Sequence, residues 1–297
     1  MNFPVNIIPE ILNIVAPVFI CSGIGFIWAR MGFIFETSFV TRLVANIGFP
    51  CLIFSVMSKT QMTEQIFGAM GLAVLISVFV FFVLGALLLR ILHLEQSTYL
   101  PSLALANTGN MGVPLSLFAF GSLGLAYGFA YFWLQIIIIF SIGNAFAAKT
   151  INIKALLRVP LIWAVGMAFI FKHFNLVLPS GLAQTIKLLG DFSIPLCLIT
   201  MGASLAGLKV RSLKRSLILS IFRLTVGFAV GIILSEFLGF QGVARGVLII
   251  QCAMPSAVLN YLLAEIHQNQ PHEIAGVVLI STLCSFITLP ALLWYVM

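Results

Sequence analysis

Two interruptions, placed alike in the two halves of a chain built from long apolar runs, constrain this fold more than any other feature. The first is Ala104-Leu105-Ala106-Asn107-Thr108-Gly109-Asn110-Met111-Gly112-Val113-Pro114-Leu115, an otherwise apolar segment that carries two amides, two glycines and a proline. Glycine loosens the backbone, and Pro114 removes a donor and crowds the carbonyl four residues earlier. Hydrocarbon offers no replacement hydrogen bonds, so a broken helix at membrane depth survives only where protein or a wet cavity covers it. Residues 107–114 are therefore expected to be an interrupted transmembrane helix lining a site. Gln251-Cys252-Ala253-Met254-Pro255-Ser256 is the second interruption. Paired breaks of this kind point to the binding site of a secondary carrier.

The 297 residues are 61% hydrophobic and 8% charged, with a mean hydropathy of +1.17. That balance belongs to an all-α polytopic membrane protein, and the apolar runs have the length of transmembrane helices. Ten spans are predicted, at about 8–29, 37–58, 66–90, 97–120, 123–147, 159–175, 182–206, 214–238, 242–264 and 273–296. The net charge of +7 does not indicate nucleic acid, because the basic residues sit in loops. Arg30, Arg42, Arg90, Lys149, Lys154, Arg158, Lys209, Arg211, Lys214 and Arg215 fall on one side; Lys59, Lys172, Lys187 and Arg245 fall on the other. By the positive-inside rule, loops after odd-numbered spans face the cytoplasm and both termini face outward, in a cell (inner) membrane. The five cysteines (Cys21, Cys51, Cys197, Cys252 and Cys284) all fall within apolar spans and are read as small hydrophobes rather than disulfides or metal ligands. Met1-Asn2-Phe3-Pro4 lacks a basic run, so no cleavable signal peptide is expected.

The midpoint is a short basic connection. Residues 1–148 form a first group of five spans, 149–158 a cytoplasmic linker and 159–297 a second group of five. Two groups with an odd number of spans must run in opposite senses, the arithmetic of an inverted repeat. A spacing of 145 places Pro50 on Pro195 and Asn46 on Asp191; a spacing of 141 places Pro114 on Pro255 and Asn110 on Gln251.

Polar residues inside the spans are the candidate site. Asp191 is the only aspartate and falls mid-span, where an ionisable group is costly. A carboxyl there is a candidate proton carrier, with Asn46 its non-titrating counterpart; pairing with a cation or with freed backbone is the structural alternative. The amides of Asn107, Asn110 and Gln251, and of Asn260 a turn further on, both donate and accept and suit a carboxylate. Half-helices starting at the breaks turn positive ends inward, so an organic anion needs no fixed cation. Gly109, Gly112, Pro114 and Pro255 shape the breaks. Arg223, within span 8, is either the anion's counter-charge or a side chain snorkelling to the headgroups. Ser22-Gly23-Ile24-Gly25 predicts close helix packing.

Glu265, His267, His272 and Glu273 are placed in an outward, solvated loop between spans 9 and 10, without the convergence a metal site needs. No catalytic set, cofactor motif or zinc spacing is present, so an enzyme is not expected. A channel would need a continuous polar lining, and a sensor a soluble output domain.

At these residues the chain resembles the auxin efflux carrier (PIN-like) family and its bacterial relatives, nearly end to end. The resemblance rests on Thr41-Arg42-Leu43-Val44 with Phe49-Pro50-Cys51-Leu52-Ile53-Phe54, on Asn107 through Leu115, and on Asp191 through Leu198 with Met201-Gly202-Ala203-Ser204-Leu205. It continues in Ala253-Met254-Pro255-Ser256-Ala257-Val258 with Leu263-Ala264-Glu265, and in Ser281-Thr282-Leu283 with Thr288-Leu289-Pro290. It implies ten helices in two inverted five-helix repeats with crossing broken helices 4 and 9. It also implies a scaffold of spans 1, 2, 6 and 7, a transport unit of spans 3–5 and 8–10, elevator-type movement, and a homodimer. The family's crossover asparagine maps onto Asn107 and its crossover prolines onto Pro114 and Pro255. Family substrates are organic anions, auxin or small dicarboxylates such as malonate or malate, with proton or Na+ as the coupling ion where there is one. Gln65-Ile66-Phe67-Gly68-Ala69 lacks the Asp–Lys pair of the plant carriers, and the long insert between their repeats is absent, which favours a bacterial-type member.

Overall fold

The computed structural model describes residues 7–58, 64–138 and 159–297, with the backbone alone described for residue 7 and residues 64–67. Lys59, the end of predicted span 5 and the linker with Lys149, Lys154 and Arg158 lie outside the described residues. Every regular element among the described residues is helical. The helices are α1 (Ile7–Arg30), α2 (Thr37–Leu43), α3 (Phe49–Met57), α4 (Glu64–Ile91), α5 (Gln96–Ala104), α6 (Val113–Ile138), α7 (Pro160–His173), α8 (Ser180–Asp191), α9 (Ser193–Gly207), α10 (Leu213–Phe237), α11 (Gly242–Ala253), α12 (Val258–Ile266) and α13 (Pro271–Val296). Two π-helical turns, Val44–Gly48 and Thr108–Gly112, lead into α3 and α6. Seven helical runs among the described residues are long and apolar enough to cross a membrane, and α7 and α11 are shorter apolar helices. A band of exposed Ile, Leu, Val and Phe, including Ile24, Leu75, Phe79, Ile233 and Ile287, faces outward from them.

The two π turns share a local cause. Asn46-Ile47-Gly48-Phe49-Pro50 and Asn110-Met111-Gly112-Val113-Pro114 have the same pattern, Asn-x-Gly-x-Pro. A proline ring clashes with the carbonyl four residues back and offers it no N–H. Widening the preceding turn relieves the clash, and glycine tolerates it. Inside α6, Gly121 has φ +63° and ψ −151°, a conformation that breaks the helix and that residues with a Cβ avoid. The chain turns back there, between predicted spans 4 and 5.

Helices approach closely where glycine permits. A Cβ on Gly25 would lie 1.9 Å from the Ile199 carbonyl oxygen, and one on Gly202 would lie 1.8 Å from the Ser22 carbonyl oxygen, so α1 and α9 touch backbone to backbone. The close packing expected at Ser22–Gly25 is present, with Gly25 rather than Gly23 at the contact. On α10, Gly227 and Gly231 bring that helix against Cys252 and Ile249 of α11. α3 packs on α7 and α8, with Phe54 edge-on to Phe171 at 5.2 Å. α10 also packs along α13, while α6 lies between α4 and α11.

The loop joining α12 to α13 corrects one expectation. Asn269 bonds Thr98 and the Ser97 carbonyl, Gln270 bonds Glu95, and Glu273 pairs with Arg211 and Arg215. This loop therefore shares an end of the molecule with the basic turn before α10, not the opposite end. The physical reason is parity: segments that follow odd-numbered spans must emerge on one side.

Replacing Gly202 by Ala should force α1 from α9 and lower stability by about 1–3 kcal/mol. Thermal unfolding in detergent checks this, with Gly23→Ala, which meets nothing within 4 Å, as the unchanged control.

Candidate functional site

Two helical paths come apart at one place. α5 ends at Ala104, Leu105 is extended (φ −102°, ψ 106°), and helical geometry resumes at Thr108. α11 ends at Ala253, Met254 (φ −63°, ψ 148°) and Ala257 (φ −68°, ψ 139°) are extended, and α12 begins at Val258. In the second break the cause is local, since a residue preceding proline avoids the helical region and Met254 precedes Pro255.

The extended segments pair with each other as a single antiparallel bridge, Ala106 with Ser256. Asn107 N donates to Pro255 O at 2.8 Å, and Ala257 N donates to Leu105 O at 3.2 Å. Adding 150 to the first pair of numbers, or subtracting it, gives the second pair. The bridge joins positions 150 apart in the chain. Pro255 lies within its unwound segment, whereas Pro114 lies in the first turn of α6, so the two prolines break their helices differently.

Neighbouring side chains satisfy what the breaks leave over. Leu105 O also accepts from Asn260 Nδ2 at 2.9 Å, and Ala106 O accepts from Gln135 Nε2 at 2.7 Å. Ser256 N donates to Ser281 Oγ at 3.1 Å. Cys252 O accepts from Arg223 Nη2 at 3.0 Å. Arg223 is 1% exposed, with its guanidinium 4.3 Å from the Phe81 ring centre. The snorkelling expected of it is not found: the side chain turns inward and caps the carbonyl end of α11, where a cation is favoured. Its Nε and Nη1 have no partner.

With Leu105 O, Ala106 O and Cys252 O capped, the helix start at Thr108, whose π turn leads into α6, and the start of α12 contribute opposite character. First-turn N–H groups of a helix have no intrahelical acceptor and carry partial positive charge. Both starts lie at the crossing, so the arrangement favours an anion there.

The predicted residues are not all brought together. Asn107 and Asn260 sit at the crossing, both buried, and Asn107 Nδ2 contacts Met201 Sδ at 3.3 Å. Asn110 is half-buried, and its carbonyl, to which Pro114 can give no N–H, lies 3.8 Å from Cys197 Sγ on α9. Gln251 points away from the bridge, fully buried between Gly112, Ser116 and Gly128 of the α6 path. A Cβ on Gly112 would lie 2.2 Å from Gln251 Oε1, and one on Gly109 would lie 2.4 Å from the Phe132 ring. Asp191 does not reach the crossing. It lies at the α8–α9 junction, 53% exposed and paired with Lys187 one turn earlier. Asn46 is likewise exposed and donates to the Arg42 carbonyl at 2.8 Å. Sequence reasoning assigned no site role to Gln135, or to Met201 and Ser281, which entered only as members of family-like motifs; Gln135, a polar residue in the run Phe132–Ile138, was visible as one.

A chain of apolar helices whose two unwound segments pair inside the protein has the architecture of a membrane transporter. The match to the membrane transport protein family covers residues 10–155 and 145–295, and the chain belongs to that family, whose members include the auxin efflux carriers. It is 25% identical to an uncharacterized transporter of Methanocaldococcus jannaschii, across 95% of this chain and 98% of that protein. It is 27% identical to an uncharacterized transporter of Methanothermobacter thermautotrophicus, across 92% of this chain and 93% of that protein. Auxin efflux carrier component 1 of Arabidopsis thaliana matches at 26% identity over 46% of this chain and 22% of that protein.

Gly112→Ala should cost about 1–3 kcal/mol by driving Gln251 from its slot. The double variant with Gln251→Ala should regain most of that loss, because neighbours in contact are not additive. A thermal-unfolding cycle of the four proteins reads the coupling.

Proposed function

We propose that the protein is a secondary carrier that moves a small organic anion, a carboxylate or auxin-like acid, across the cell (inner) membrane by alternating access. The observation that carries this reading is the paired crossing of two unwound segments with helix starts converging on it. The anion's carboxylate would lie against those starts beside Asn107, with Asn110 on the α9 side, while Asn260 gives its N–H groups to Leu105 O and Ser256 Oγ and holds the crossing. Arg223 adds positive potential through the end of α11, and Gln251 holds the α6 path in shape. The auxin-like substrate class is drawn from the Arabidopsis relative's name.

The reading takes the architecture as ten spans in two inverted repeats with both termini outward. One unwound segment in each half of the chain, the two paired at the crossing, supports that symmetry. It further takes α1–α3 with α7–α9 as a fixed scaffold and dimer surface, and α4–α6 with α10–α13 as the moving unit. The close backbone contact of α1 with α9, and of α10 with α11, supports two internally tight groups. An anion leaving a negative interior gains about 2.3 kcal/mol per charge per 100 mV, so export needs no coupling ion. The burial of Asn107 at 3% and Gln251 at 0% exposure favours a carrier over an open channel.

Uptake of a labelled carboxylic-acid panel into proteoliposomes tests this. Saturable flux that falls at least about tenfold in Asn107→Ala, one lost charge-assisted contact, supports the carrier. Flux linear in concentration and indifferent to that change rejects it. Asp191→Asn should leave flux and its pH dependence unchanged; a lost pH dependence would restore Asp191 as a proton carrier.

A further inference from the structure

Arg223 carries a charge that no acid near it balances. It stands ten residues after Leu213, the first residue of α10, and so about 15 Å along the axis, near the middle of the span. Its guanidinium gives one N–H to Cys252 O at 3.0 Å and lies 4.3 Å from the centre of the Phe81 ring. Nε and Nη1 have no partner, and no ion pair among the described residues includes this side chain. The acids are engaged elsewhere: Glu236 pairs with Arg245, Glu273 with Arg211 and Arg215, and Asp191 with Lys187. Glu64 opens α4 seventeen residues before Phe81, about 25 Å away along that helix. The polar groups around Cys252 are neutral, with Tyr131 Oη 2.9 Å from Ser77 Oγ and 3.6 Å from Cys252 Sγ. A guanidinium keeps its proton inside proteins, so one full positive charge stands uncompensated at mid-membrane depth. Such a charge is costly, and its presence marks function.

Phe81 belongs to α4 and Cys252 to α11, both in the group of helices taken above as the moving unit. Other charged side chains of that unit, such as Arg90, Glu236, Arg245 and Glu273, lie near helix ends. Arg223 alone among its described charged side chains lies well inside a span. We infer that Arg223 is the charge-balancing residue of the carrier: the unit travels with one positive charge when empty and with none when it holds a monoanion. This rests on the carrier reading and adds to it which step feels the membrane potential and which acids suit the site. The charge moved per cycle is unchanged, but the potential acts on the empty return, which a negative interior draws inward. The step loaded with a monoanion is indifferent to potential. A dianion leaves a net negative charge on the loaded unit, so acids of single charge are favoured.

Self-exchange isolates the loaded step, because the empty unit need not return. Proteoliposomes of the full chain hold equal unlabelled acid on both sides, and labelled acid is followed with and without a potential set by potassium and valinomycin. Indole-3-acetate and benzoate serve as monoanions, malonate and malate as dianions, at mildly alkaline pH, with protein-free liposomes as the blank. A charged loaded unit is held to one side by the potential, whichever way the protein is inserted. Its exchange slows about threefold for each unit charge at about 100 mV, if that charge crosses most of the field. Monoanion exchange should be unchanged by potential, and any dianion exchange should slow. Arg223→Gln should make monoanion exchange slow about threefold, and Arg223→Lys, which keeps the charge, should leave it indifferent. The inference is overturned if wild-type monoanion exchange slows, if dianion exchange does not, if only the dianions exchange, or if Arg223→Gln stays indifferent. Should Arg223→Gln fail to fold, the wild-type comparison of monoanions with dianions decides by itself. If none of the four acids exchanges, the carrier reading falls and this inference with it; exchange that responds to potential in the wrong pattern overturns this inference alone.

Discussion

Backbone N–H and C=O groups inside hydrocarbon must find partners within the protein, and the fold turns on how two broken helices meet that demand together. Each break strands carbonyls at the end of one half-helix and N–H groups at the start of the next. Here the breaks lie side by side, and the unwound residues of one complete the unwound residues of the other through the Asn107–Pro255 and Ala257–Leu105 bonds. Neither segment would be tolerable alone. The side chains that finish the accounting, Asn260, Gln135, Ser281 and Arg223, come from four further places on the chain. The crossing thus acts as a tie between the two halves, with no disulfide beside it among the described residues.

The asymmetry of what remains gives the centre its chemical character. Leu105 O, Ala106 O and Cys252 O are capped by amide and guanidinium donors, so the N–H groups at the helix starts at Thr108 and Val258 give the crossing positive character. That polarity suits an anion.

Glycine decides which helices can share a backbone contact. Gly25 and Gly202 let α1 and α9 meet, Gly227 and Gly231 let α10 meet α11, and Gly112 and Gly128 open the slot that Gln251 fills. Small residues perform this task in membranes because lipid supplies no hydrophobic drive between helices, and close contact must supply dispersion instead.

Much of this was legible in the amino-acid sequence. Apolar runs set the class, because burying helices in lipid needs only length and composition, and Asn107, Pro255 and the surrounding glycines marked the breaks, because backbone disruption is local chemistry. Family membership followed from the same motifs. The tertiary structure alone decided the register of the crossing, since Pro114 and Pro255 look equivalent in one dimension yet act at different points of their helices. It alone turned Arg223 inward to Cys252 and left Asp191 outside beside Lys187, because whether a polar residue in an apolar span faces protein or surroundings depends on helix rotation, which neighbours fix. It alone supplied Gln135 and Ser281 with their purpose, since a hydrogen-bond partner many residues distant leaves no mark on the local sequence.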